Sequence, residues 1–176
     1  MGSEMCIRDS ITGAGRGFSA GADLSERNSS WRGSKDALLR GYKPFFENIV
    51  NMPKPVIGAI AGPAAGIGAA IAMSCDLRVM SDDSYILSVF SNIALIPDGG
   101  LTWYLPKFMG FAKAYEHAIE AKKISAEDCL KYGIANKVVS RDELETVTLE
   151  WAHKLSRRSS QSLKHTKRLM LSLIHI

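Results

Sequence analysis

Acidic residues are missing from the end of this chain. Between residues 151 and 176 there is no Asp or Glu, while Lys154, Arg157, Arg158, Lys164, Lys167 and Arg168 all fall there. With those six set aside, the 22 basic and 18 acidic residues become 16 against 18, so the formal charge of +4 belongs to the tail. The body lacks the clustered Lys and Arg that phosphate neutralisation needs, which excludes a nucleic-acid-binding face. Paired cysteines are missing too. Cys6, Cys75 and Cys129 are odd in number and show no paired spacing, so there is no disulfide framework and a reducing, cytoplasmic setting is expected. The most apolar stretch, Val56 to Met73, is broken by Gly58, Gly62, Pro63, Gly66 and Gly68. A membrane-spanning helix needs about 20 apolar residues without that density of breakers, so no membrane partner is expected. The N-terminus lacks the basic-then-apolar order of a signal peptide. His, Cys, Asp and Glu nowhere take metal-ligand spacing, and no metal is expected.

What is present is the composition of an ordinary globular domain, 46% hydrophobic and 23% charged over 176 residues. Residues 1–10, MGSEMCIRDS, have neither strand alternation nor a helical apolar face and are set aside as a non-native or disordered leader. The stretch from Ser25 to Ser34 is polar. From Lys35 to Val50 the positions Ala37, Leu38, Tyr42, Phe45, Phe46 and Ile49 recur at helical spacing, and Pro53 and Pro55 end the helix. Val56, Ile57, Ala59 and Ile60 read as a strand buried on both faces, Gly66–Ser74 as a short helix, and Asp76–Met80 as the next strand. A strand, helix and strand joined this tightly predict parallel pairing through a crossover. Helices are expected over Leu101–Met109, Ala112–Glu120, Ala126–Tyr132, Asp142–Ser156, with Ala152 and Leu155 on one face, and Ser160–Leu171, with Leu163 and Leu169 as its apolar positions. A last strand is expected at Lys137–Val139. The fold class is α/β.

Three segments carry chemistry. The loop Thr12 to Leu24, TGAGRGFSAGADL, resembles a dinucleotide-binding turn, but Ser19 stands where a short-chain dehydrogenase carries its third glycine. None of the five tyrosines has a lysine four positions on, so that family's catalytic pair is missing as well. The segment Lys54 to Asp76 opens a helix with glycines. Uncovered amides and the helix dipole at such an end suit a developing oxyanion, although tight Gly and Ala packing gives the same pattern. In Ser88 to Pro106, Asp98 follows Pro97 and precedes two glycines, the position of a helix cap.

Taken together, FSAGADL at Phe18–Leu24, KPVIGAIAG at Lys54–Gly62, AAGIG at Ala64–Gly68, the Cys75–Asp76 pair and the IPDGG loop resemble the crotonase family, the enoyl-CoA hydratase and isomerase superfamily. KISAEDCLKYGIANKVV at Lys123–Val139 is similar to that family's downstream stretch. The resemblance implies a ββα spiral core over residues 11–140 followed by C-terminal helices at 141–176. It implies binding of an acyl-CoA thioester whose oxygen is held, as it becomes enolate-like, by the amides of Ala22 and Ile67. Substrate contacts are implied for Ala20, Ala22, Asp23, Leu24, Ser25, Ile67 and Phe90. No cofactor is implied beyond the CoA carried by the substrate, and assembly of a full-length chain is implied as a homotrimer or a dimer of trimers.

The departures from the family are informative. A hydratase of this type uses two glutamates, and their positions fall here on Ala70 and Phe90. What remains is Asp98, placed like the single catalytic aspartate of the phenylacetate-pathway isomerase branch. The activity implied is an enoyl-CoA isomerase in which one carboxylate moves a proton from the α-carbon to the γ-carbon. Phe90, Ile96 and Trp103 are the apolar residues expected to raise its pKa. A hydratase recruiting Asp82 or Asp83, or a non-catalytic acyl-CoA-binding subunit, are the alternatives. His117 and His153 are read as surface or packing residues and Cys75 as inert core. The positions from Trp103 to Phe111 are read as core or acyl-tail lining. Both ends are expected to be non-native joins on a truncated reading frame, because they do not continue the family pattern.

Overall fold

A computed structural model describes residues 9–23 and 33–172. Leu24 and Ser25, and the polar stretch except its last two residues, lie outside the described residues, as do residues 1–8.

Two small sheets are built from strands that follow chain order. The first holds β1 (Asp9–Thr12), β2 (Val56–Ile60), β4 (Leu77–Ser81) and β7 (Lys137–Val139), all parallel and in that order. The second holds β3 (Pro63–Ala65), β5 (Tyr85–Leu87) and β6 (Lys123–Ser125), the last antiparallel. Ser19 bridges to Ala64 beside this second sheet. The chain thus visits the first sheet, crosses to the second, and returns through a helix, three times over. That is the ββα spiral implied by the resemblance.

The helices between strands are α1 (Ser34–Asp36), running through a π-helical segment Ala37–Tyr42 into α2 (Lys43–Asn51), then α3 (Ile67–Ser74), α4 (Leu101–Ile119), α5 (Ala126–Lys131), α6 (Leu144–Ser156) and α7 (Ser160–Leu171). Pro44 sits in the first turn of α2 and cannot donate to the turn before it, which fits the wider winding just upstream. The expected break between Met109 and Ala112 is real: Gly110 leaves helical geometry inside α4. Asp9 and Ser10 pair with Val56 and Ile57, so the sheet takes in two residues of the segment set aside as a leader. Backbone pairing is indifferent to the Asp and Ser side chains, which is why alternation failed to flag them.

All five residues of β2 are buried, as its unbroken apolar run implies. The largest core cluster joins Ile60, Ala69, Ala70, Met73, Met80, Ile86, Phe90, Leu101 and Leu105 around α3. Arg78 lies within this packing at 4% exposure. Its guanidinium donates to the carbonyls of Ala72, Met73 and Cys75 at the end of α3 and to Ile134 before β7. A cation at a helix C-terminus satisfies carbonyls the helix leaves open and offsets its dipole. Burial holds this guanidinium below its ordinary pKa.

Helix α7 differs from expectation. Its half-buried stripe is Leu163, Lys167 and Leu171, whereas Leu169 is 64% exposed. The cause is Asp76 beneath it: Lys167 Nζ donates to Asp76 Oδ2 at 2.7 Å and to the Ile49 carbonyl at 2.7 Å. That charge turns Lys167 inward and rotates Leu169 out.

Candidate active site

The site begins where two glycine turns meet. Phe18 and Ser19 donate to the Pro63 carbonyl at 2.9 and 3.0 Å, and Ala65 donates to the Ser19 carbonyl at 2.9 Å. These bonds lay the loop along β3. A Cβ on Gly66 would stand 3.9 Å from the Gly21 Cα, so Ala22 and Ile67, one residue beyond each glycine, leave from apposed backbone. Neither N–H has an acceptor among the described residues. Ile67 opens α3, whose cap residue Gly66 (φ 56°) offers no side chain to cover the first amides. Two uncovered donors, one at a helix N-terminus, form an arrangement that can hold a developing oxyanion.

Asp98 stands on the turn that leads into α4. Its carbonyl accepts from Leu101 at 3.1 Å, but the residue capping α4 is Gly100, and the Asp98 side chain caps nothing. Instead Oδ1 is buried without a hydrogen-bond partner. Burial raises the Asp98 pKa, opposed by a hydrogen bond from its own backbone. The next residue brings this turn onto α3: a Cβ on Gly99 would lie 2.5 Å from Ala70 Cβ, 3.0 Å from Ile67 Cδ1 and 3.1 Å from Phe46 Cζ. The carboxylate turn therefore rests on the residue that supplies the second uncovered amide.

The apolar residues expected around Asp98 need correcting. Ile96 is 83% exposed, and Trp103 packs edge-on against Tyr104 at a cavity by the far end of α3, with Lys107 Nζ over its ring at 3.3 Å. Phe46, Ile67 and Ala70 line the turn instead. Phe90 and Ala70 are both buried in the cluster under the site, at 5% and 0% exposure. Ala20, Ala22 and Asp23 are exposed on the loop beside it.

The other candidates are accounted for by packing. Asp83 accepts from Ser81 Oγ at 2.6 Å and from Arg141 Nε and Nη2 at 3.0 and 2.7 Å, so both its oxygens are engaged, and these bonds lower its pKa. Asp82 is exposed beyond β4. Cys75 is buried, and burial pushes its thiol up to about 12, which leaves no thiolate at neutral pH. His153 is exposed, and His117 is half-buried with its Nδ1 3.4 Å from the Lys122 carbonyl oxygen. Of the aromatics before Phe111, Trp103, Tyr104 and Phe108 line a cavity of about 440 Å³ at the far end of α3. A smaller cavity of about 120 Å³ lies beside the Asp98 turn, lined by Pro97, Leu101, Leu105, Phe111 and Tyr115. Among the described residues no group of three or more His, Cys, Asp or Glu is placed to hold a metal, and no helix is long and apolar enough to cross a membrane.

Residues 10–173 match the model of the enoyl-CoA hydratase/isomerase family. The chain belongs to that family. It is 37% identical over 150 residues to the 1,2-epoxyphenylacetyl-CoA isomerase of Escherichia coli K12, covering 83% of this chain and 57% of that protein. It is 35% identical over 160 residues to the short-chain-enoyl-CoA hydratase of Clostridium acetobutylicum, covering 89% and 60%. The crystal structure of an enoyl-CoA hydratase from Bacillus anthracis superposes with a TM-score of 0.84 at 30% identity, over 92% of this chain and 63% of that one. The crotonase-type spiral is therefore shown by sequence and by shape. The chain spans 57% to 63% of the length of these three relatives.

Proposed function

We propose that this member of the hydratase/isomerase family is an enoyl-CoA isomerase. Asp98 takes a proton from the α-carbon of an enoyl-CoA thioester. The electron pair delocalises onto the thioester oxygen, where the amides of Ala22 and Ile67 stabilise it, and Asp98 returns the proton at the γ-carbon. The double bond moves by one position and nothing is oxidised or reduced. The substrate lies along Ala20, Ala22, Asp23, Leu24 and Ser25, with Ile67 and Phe90 at its reactive end. CoA enters as part of the substrate and no further cofactor takes part.

The observation that carries this reading is the Asp98 carboxylate, held half-buried with one oxygen unpartnered and its pKa raised, on a turn seated against Ile67. Burial moves such a group in the direction of a stronger base. The two carboxylates of a hydratase have no counterpart at Ala70 and Phe90, and the engagement of Asp83 argues against its recruitment in their place. Similarity to the E. coli isomerase supports the same choice.

The test follows conversion of a 3-enoyl-CoA to its conjugated isomer by ultraviolet absorbance. Asp98→Asn is expected to lower turnover by about 10²- to 10⁴-fold, the range general acid–base groups contribute, with acyl-CoA affinity retained. Full turnover in that variant would overturn the assignment. Loss of crotonyl-CoA absorbance by water addition would point to a hydratase. CoA affinity without α-proton exchange in heavy water would point to a binding subunit.

A further inference from the structure

Ser19 enters the site through its side chain as well as its backbone. Its side chain occupies the gap between the two segments that supply the uncovered amides. On one side, the Gly21 N–H donates to Ser19 Oγ at 3.3 Å. On the other, a Cβ placed on Gly68 would lie 2.5 Å from Ser19 Cβ, 2.6 Å from its Oγ and 2.7 Å from its carbonyl oxygen. Carbon atoms pack favourably at about 3.5–4.0 Å, so Gly68 can carry no side chain while Ser19 sits there. Gly21 precedes Ala22, and Gly68 follows Ile67. The same residue is fixed to β3 through its N–H and its carbonyl, so it cannot drift along the strand.

We infer that Ser19 is the positioning residue of the oxyanion pair: wedged between Gly21 and Gly68, its side chain sets the separation and aim of the Ala22 and Ile67 amides. The hydroxyl ties down the turn that carries Ala22. Its Cβ and Oγ set how closely that turn approaches the first residues of α3. A smaller side chain lets the Ala22 turn relax, and a methyl on Gly68 drives the two segments apart. The inference rests on the reading of Ala22 and Ile67 as oxyanion donors.

The experiment uses crotonyl-CoA labelled with carbon-13 at the thioester carbonyl, whose resonance moves downfield when hydrogen bonds polarise it. The parent chain, Ser19→Ala and Ser19→Cys are compared by this shift on binding, by kcat and KM on a 3-enoyl-CoA, and by thermal melting. Ser19→Ala is expected to lose most of the bound-state shift and to lower kcat by about 10- to 100-fold, the loss that a small misplacement of catalytic groups produces, with KM within about 2-fold. Ser19→Cys keeps a weak acceptor at the same place and is expected to fall between the two. Gly68→Ala, approaching the gap from the other side, is expected to reduce the shift as well. An unchanged carbonyl shift and kcat in a folded Ser19→Ala protein would overturn the inference and leave the donors in place. A parent chain that binds the thioester with no shift at all would overturn the donor reading and, with it, the role of Ser19.

Discussion

Asp98 is a residue whose placement works against the fold. A carboxyl whose pKa is raised by burial holds a proton in the folded chain at a pH where the unfolded chain has already released it. Its contribution to stability is therefore full below the ordinary aspartate value of 3.8 and is lost as pH rises through the raised value. Asp98→Asn, which keeps the shape and removes the charge, should melt at a higher temperature than the parent at pH 7. The gain should shrink to nothing near pH 3.5, as differential thermal melts would record. A variant that is inactive and more stable at neutral pH would mark Asp98 as a functional strain. IPDGG by itself reads Asp98 as a helix cap, which the structure does not bear out; only the resemblance to the isomerase branch singles it out as a candidate base. Its surroundings were not legible in the sequence. Ile96 and Trp103 are neighbours in the chain, but the first turns to solvent and the second packs on Tyr104, while Phe46 and Ala70 arrive from helices that no local pattern ties to residue 98. Ser19 was missed for a related reason, since its partner Gly68 looks like one more small residue on a small-residue helix.

Among the elements, α7 depends on one buried contact. Lys167 and Asp76 retain 8% and 20% of their side-chain exposure, and Asp76 also accepts from the Val56 N–H at 2.8 Å. Breaking such a pair from one side leaves a charge with no counter-charge, at a cost of about 3–5 kcal/mol when fully buried. Lys167→Met should therefore destabilise by about 3 kcal/mol, given that Asp76 keeps some contact with water. The double variant with Asp76→Asn should recover much of that loss, and urea titration would measure both. The surface pair of Arg141 and Asp83, at 39% and 52% exposure, is worth at most about 1 kcal/mol by comparison. Elements of five residues or more were readable from the sequence: β2 as an apolar run, α6 through Ala152 and Leu155, α7 by its ends. The strands β3, β5 and β6 were not: Pro63 argues against a strand at β3, and β5 and β6 lack the β-branched run that made the equally short β7 readable. The inward lysine of α7 does leave a signal, standing four residues from both Leu163 and Leu171.

At the scale of the molecule, apolar surface remains uncovered. Phe111, Tyr115 and Ile119 run along one face of α4 at 74%, 55% and 51% exposure, with the first two rings stacked at 5.6 Å. Met170 is 79% exposed on α7. Contiguous apolar surface of this kind marks interaction faces. We propose that the α4 face is buried between copies of the protein, as the homotrimer or dimer of trimers implied by the resemblance for a full-length chain would require. Sedimentation velocity on this chain should show association that rises with concentration, and Phe111→Ser with Tyr115→Ser should weaken it.

Strands that join a parallel sheet in the order they occur in the chain give the molecule a mechanical direction. Each added turn of the spiral lies against the one before, so load applied from the C-terminus must first strip α7, tied to Asp76 and the Ile49 carbonyl through Lys167, and then α6, before it reaches β7, β4 and β2 in turn. Pulled from that end, the chain should peel in stages like layers from a coil, with α3 released between β4 and β2 and the loop that carries Ala22, next to β1, the last to give way.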